Sequence, residues 1–105
     1  MHRLRPASVR HLQVFCLAAR HSSFKQAAAA LYLTPSAVSH RIRELEASLG
    51  VALFERRPRA VELTDAGRTL YAEAMPLLDA LEEALARTTQ RLQRERLRVT
   101  APQFF

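Results

Sequence analysis

Apolar positions recur every three or four residues through most of the chain, and the repeat breaks at a few well-marked places. Val9, Leu12, Phe15, Cys16 and Ala19 stand at helical spacing across residues 8–20, with Ser8 available as N-cap. SFKQAAAALYL predicts a short second helix, because Ser23 followed three residues later by Gln26 forms a capping box and four alanines favour helix. A third helix is predicted over TPSAVSHRIRELEASLG. Thr34 caps it, Pro35 fills the first helical position, where a missing N–H does no harm, and Gly50 stands where a helix ends. Only about three residues, near Leu31 to Thr34, separate the second and third helices. Such a junction suits a helix-turn-helix or a plain helical hairpin of a bundle.

Period two replaces the helical period in LFE (53–55) and VEL (61–63), which flank RRPRA. This predicts a hairpin whose turn carries Pro58 and projects Arg56, Arg57 and Arg59 into solvent. From Thr64, a second cap, the pattern is that of one long helix. Leu70, Leu77 and Ala84 repeat every seven residues, as do Ala74, Leu81 and Thr88, and Leu78, Leu85 and Leu92 widen the stripe. About 30 residues at 1.5 Å each reach ~45 Å, whereas a domain of about 63 residues is only ~25–30 Å across. The stripe therefore asks for a second chain to cover it. A helix folded back on its own core is the other solution, and Pro76 offers a place to break. The last nine residues, LRVTAPQFF, return to a strand-like alternation.

Composition narrows the class. The chain has 105 residues, about half of them apolar, enough for one compact domain and an extension. There is no run of about 18 apolar residues to span a bilayer and no signal-peptide pattern after Arg3 and Arg5, so a cytoplasmic location is expected. Cys16, the single cysteine, sits in VFCLAA and reads as a small buried hydrophobe. The net charge of +6 is local: residues 1–59 hold ten Lys or Arg against three acids, and residues 60–105 six against seven. A basic half of this kind is the footprint of a phosphate-backbone binder, or an ordinary solvated surface.

The third helix has two unlike faces. Wound at about 100° per residue, Val38, Ile42, Leu45 and Leu49 form one stripe, and Ser36, Ser39, His40, Arg43 and Ala47 gather opposite, flanked by Arg41 and Glu44. Short side chains let a helix approach a surface closely. The DNA major groove admits one helix, and Ser, His and Arg can bond to base edges, while the helix N-terminus favours phosphate. Other chemistry finds less support. Ser39 and His40 are adjacent on the helix and diverge, with no acid placed to orient the imidazole, so no catalytic site is assigned. His2, His11, His21 and His40 show no ligand spacing and no cysteine partner, so no metal site is assigned. A winged-helix protein-interaction module without specific DNA binding is the alternative reading.

The order HLQVFCLAARHSSF, then AAAALYLTPSAVSHRIRELEASLGVALFERRPRAVELTDAGRTL, resembles the N-terminal DNA-binding domain of LysR-type transcriptional regulators over residues 8–95. The motifs that carry the likeness are SF opening the second helix, Ser39, Ile42, Arg43, Leu45 and Glu46 in the third, LG followed by LFER, and Leu63, Thr64, Ala66 and Gly67 in LT-x-AG.

The resemblance implies a mainly α fold: a winged helix-turn-helix over 1–63 with a two-stranded β wing, a linker and dimerisation helix over 64–95, and the first strand of an effector-binding domain over 96–105. It implies no enzyme activity and no cofactor in this chain and a small-molecule effector bound by the rest of a full-length protein, and it leaves open whether that protein is a tetramer. It further implies a homodimer paired through Leu70, Ala74, Leu77, Leu78, Leu81, Leu85 and Leu92 that sets two recognition helices into an imperfect inverted repeat of double-stranded DNA. Ser23 and Lys25 would hold phosphates. Thr34, Pro35, Ser36, Ser39, His40 and Arg43 would line the groove, and Arg56, Arg57 and Arg59 would reach the backbone or minor groove. Many family members carry Gln at the position of Pro35. Base reading here is then expected to lean on Ser36, His40 and Arg43, or on the Pro35 ring against a thymine methyl.

Overall fold

The computed structural model describes residues 6–58 and 60–100, with side chains over 9–58 and 60–96. Its elements are α1 (Pro6–His21), α2 (Phe24–Leu31), α3 (Pro35–Leu49), β1 (Phe54–Arg56), β2 (Val61–Leu63) and α4 (Asp65–Thr100). Three short helices, an antiparallel hairpin and a long helix make a winged helix-turn-helix with an extension. Two compact units are distinguished, Met1–Met75 and Pro76–Phe105, and α4 runs through both.

Local chemistry sets the element ends. Helix α1 starts three residues earlier than Ser8 as N-cap would place it, because Pro6 already carries the φ of a first helical turn. Ser8 thus lies inside that turn and does not cap it. After α1, Ser22 turns left-handed at φ 51°, and the N–H groups of Ser22 and Ser23 reach back to Ala19 and Ala18. Ser23 then caps α2 by accepting the Gln26 N–H at 3.1 Å. Since the Ser23 N–H is already given to Ala18, the reciprocal half of the expected capping box is not formed. Thr34 caps α3 by accepting the Ala37 N–H at 3.1 Å, Pro35 opens it, and Gly50 closes it at φ 72°.

The core of the first unit lies where α1, α2 and α3 pack on one another and on the hairpin. Val14, Phe15, Cys16 and Ala18 of α1 meet Ala27 and Ala28 of α2 and Val38, Ile42 and Leu45 of α3, all buried. Leu49 belongs to the same sequence stripe but is 37% exposed, because it ends the last turn before Gly50 diverts the chain. Phe54 completes the core, its ring 5.5 Å from Phe15 and 5.3 Å, edge-on, from Phe24. The strands pair Phe54 with Leu63, Glu55 with Glu62 and Arg56 with Val61, one residue later on β1 than the LFE pattern suggests.

A compact joint links the hairpin to α4. The Thr64 N–H bonds to Leu53 O at 3.0 Å, and its hydroxyl donates to Ala52 O at 2.7 Å while accepting the Gly67 N–H at 3.0 Å. Gly67 lies so near this strand root that a Cβ there would stand 2.1 Å from Leu53 O.

Helix α4 continues to Thr100, so Leu97–Thr100 are helical rather than the start of a strand, and residues 101–105 lie outside the described range. Pro76 lies inside the helix without ending it, no further breaker stands before Pro102, and a helix once nucleated extends at little further cost. The linker helix therefore spans Asp65–Thr100 and overruns the expected end at residue 95. Ala74, placed in the dimer seam by its heptad position, is buried in its own chain, and Leu70 and Leu78 are half-buried. A heptad pattern does not show how much of a stripe the chain covers itself. Leu77, Leu81, Leu85 and Leu92 are exposed. In the second unit, Thr88 and Thr89 donate to Ala84 O and Leu85 O, each at 2.9 Å.

Candidate nucleic-acid interface

The outward side of α3 is arranged much as the helical wheel predicts. Pro35, Ser36, His40 and Arg43 are exposed, and Lys25 is exposed in the first turn of α2. Lys25 and Arg43 have no ion pair among the described residues. Thr34 and Ser23 use their hydroxyl oxygens as helix caps, which fixes both near helix N-termini whose N–H groups point outward. A cleft of about 160 Å³, lined by Ser22, Ser23, Phe24, Arg57, Ala60 and Val61, brings the start of α2 beside the hairpin.

His40 is not a bare contact residue. Its Nε2 lies 3.6 Å from Glu44 Oε1, one turn along the helix, and the same oxygen accepts from His11 Nε2 of α1 at 3.2 Å. The His11 hydrogen bond draws the Glu44 carboxyl below its ordinary range; desolvation opposes this, and the charges of His40, His11 and Arg41 add to the lowering. Among the described residues no group of three His, Cys, Asp or Glu is arranged to hold a metal ion.

Arg56 is exposed, as the hairpin predicts, but its guanidinium is engaged. It lies over the Phe24 ring at 5.4 Å, donates to Ser39 Oγ at 3.5 Å and sits 3.6 Å from Glu46 Oε1. Strand alternation puts this side chain on the same side of β1 as Phe54, where an aromatic face and a carboxylate receive a planar cation together. Ser39 in turn is half-buried. Arg57 stays at the surface, with Nη2 3.5 Å from Glu55 and Nε 3.4 Å from Glu62. Arg59 lies outside the described residues.

A family model for bacterial regulatory helix-turn-helix proteins of the lysR family matches residues 9–68. The chain belongs to the LysR family. It is 42% identical over 107 residues to the HTH-type transcriptional regulator PtxR of Pseudomonas aeruginosa, covering all of this chain and 34% of that protein. The chain thus spans about a third of that relative's length. Among solved structures it is similar to the BenM_DBD/catB site 1 DNA complex, with a TM-score of 0.71 and 33% identity over 78% of this chain and 91% of that one. It is also similar to oxidized Corynebacterium glutamicum OxyR, with a TM-score of 0.73 and 34% identity over 83% of this chain and 28% of that one.

Three residues of the LysR match acquire physical roles that their types alone did not reveal. Glu46 Oε2 accepts the backbone N–H groups of Leu53 and Phe54, at 2.7 and 3.3 Å, so one carboxylate joins α3 to the first wing strand and steadies Arg56. Thr64 and Gly67 form the joint at the wing root. The sequence marked all three as motif members. The spacing of Glu46, one turn before Gly50, was the available sign that its side chain would meet the chain leaving the helix. No helix among the described residues is long and apolar enough to cross a membrane.

Proposed function

We propose that the chain is the double-stranded-DNA-binding portion of a dimeric LysR-family transcription regulator without catalytic activity, working in the cytoplasm where the bacterial chromosome lies. The observation that carries this reading is the outward row of Pro35, Ser36, His40 and Arg43 on a helix whose opposite face is anchored by Val38, Ile42 and Leu45. The likeness to a solved DNA complex of a relative supports it. In this reading α3 enters the major groove, Ser36, His40 and Arg43 reach base edges, and Lys25 and Ser23 meet phosphates. Thr34, Ser39 and Arg56 act chiefly by holding that surface in place, and Arg57 and Arg59 of the wing face the backbone or minor groove. In a protein of the length of its relative, the remaining part would bind a small-molecule effector.

The test is binding to a mixed genomic DNA pool at several salt concentrations. Log affinity should fall steeply with log salt, and Lys25→Ala should reduce that slope by about one while leaving sequence preference intact. A flat dependence would overturn DNA binding in favour of a protein-interaction module.

Dimerisation belongs to the same proposal. Leu77, Leu81, Leu85 and Leu92 leave an apolar stripe exposed on α4, and a second α4 would cover it in an arrangement that serves an imperfect inverted repeat. Leu81→Glu is expected to sediment as a monomer under conditions where the parent chain is dimeric. A variant that keeps the dimer mass would remove α4 as the interface.

A further inference from the structure

We propose that Glu55 and Glu62 form an acidic clasp that holds Arg57 off the DNA backbone, so that the wing disfavours random sequence and raises the specificity of the protein. The inference rests on the DNA-binding reading above. It starts from the strand register, which sets Glu55 directly opposite Glu62. Like charges in facing positions repel. Here one guanidinium reaches both, with Arg57 Nη2 3.5 Å from Glu55 Oε2 and Nε 3.4 Å from Glu62 Oε2.

Within a stretch that reads as cationic, Arg57 belongs to a triad of two carboxylates and one guanidinium whose own sum is negative, with all three side chains 59% exposed. Lys25 and Arg43 have no such partners among the described residues. Arg57 also lines the cleft that Ser23 shares at the start of α2, where a phosphate would approach. A phosphate that takes Arg57 must draw it from both carboxylates and leave them facing each other and the DNA. On a matched site, base contacts hold α3 in one register, and the Glu46 link to Leu53 and Phe54 carries the wing with it, so Arg57 is held against one phosphate and the clasp opens. On random DNA no single register is held, so the clasp stays closed and Arg57 contributes little.

Exposed ion pairs are individually weak, which sets the scale at a few-fold rather than orders of magnitude. The experiment measures fluorescence anisotropy of a labelled random-sequence duplex, and of a duplex selected from genomic DNA, across salt concentrations. The proteins are the parent chain, Glu55→Gln/Glu62→Gln, Arg57→Ala, the triple variant, and Glu73→Gln as a control for net charge. The paired glutamine variant should bind the random duplex about fivefold more tightly than the parent and the selected duplex no more than about twofold, narrowing the ratio between them. Arg57→Ala should lower the salt slope by less than about half a unit in the parent and by about one in the glutamine background.

Equal slope losses in both backgrounds, a gain no larger than that of Glu73→Gln, or equal gains on both duplexes would each overturn the clasp. A flat salt dependence of the parent would overturn the DNA-binding reading and the clasp with it, whereas a steep parent dependence with additive variants removes the clasp alone. Thermal melts accompany each variant. If the paired variant does not fold, Glu62→Gln alone replaces it, with an expected gain of about twofold on the random duplex.

Discussion

Phe54→Ala is expected to lower the unfolding free energy by about 3–5 kcal/mol. That is a large share of the roughly 5–15 kcal/mol that holds an ordinary domain folded. Phe54 is 5% exposed and meets Phe15 of α1 and Phe24 of α2, so truncation removes its buried area and opens a cavity among three elements. Phe24 also carries Arg56 on its face, which means the vacancy loosens the seat of the wing as well as the core. Urea unfolding followed by circular dichroism measures the loss, as a lower midpoint with the slope unchanged. Phe54→Leu, which refills much of the volume, should recover more than half of it. A loss under about 1 kcal/mol for the alanine variant would show that the aromatic cluster does not bear the fold.

Gly67→Ala should destabilise by about 1–3 kcal/mol, opposite to the usual sign of this substitution within a helix. Alanine ordinarily gains about 1 kcal/mol over glycine there. At this position its Cβ would meet Leu53 O at 2.1 Å and Leu63 Cδ2 at 2.9 Å. The leucine methyl can move aside; the carbonyl is backbone and also accepts the Thr64 N–H, so relieving the clash stretches the bond that seats α4. For a unit of this size each kcal/mol shifts the midpoint by roughly 4–8 °C, and a calorimetric scan would show a fall of that order. An unchanged or raised midpoint would mean that the joint between hairpin and helix yields freely.

Features that depend on near neighbours were largely legible, the cap of α1 and the reciprocal half of the Ser23–Gln26 box being exceptions. Thr34, Pro35 and Gly50 bound α3 as their types predict, and Ser23 and Thr64 cap the helices they precede, because caps act over three residues. The apolar stripe of α3 gave its buried face down to Leu45. Legibility fails where partners come from afar. Arg56 looks like a wing-tip cation until Phe24 and Glu46 are brought beside it. His40 and Glu44 stand four apart and could be paired by counting, but His11 arrives on the same carboxylate only through the packing of α1 on α3. Ala74 keeps its heptad place while being consumed by its own chain.

The charge map changes accordingly. Residues 1–59 carry a formal +7, yet Arg56 and Arg57 are engaged by Glu46, Glu55 and Glu62, the last of them from beyond that segment. Counting cations along a chain measures what is encoded. What a phosphate meets is the subset left without a carboxylate nearby, and among the described residues of that segment it includes Lys25 of α2, Arg43 of α3 and Arg10 and Arg20 of α1, and neither Arg56 nor Arg57.

The threonine at the root of the hairpin gives the wing a mechanical character. Two strands of three residues would be marginal alone. Thr64 ties their base to Ala52 and Leu53 while starting α4, and Glu46 fastens the adjacent strand to α3. The hairpin is therefore a lever with a fixed fulcrum and not a hinged flap. Rotation at the first turn of α4 would be delivered to the wing as a swing of its tip, without bending the strands.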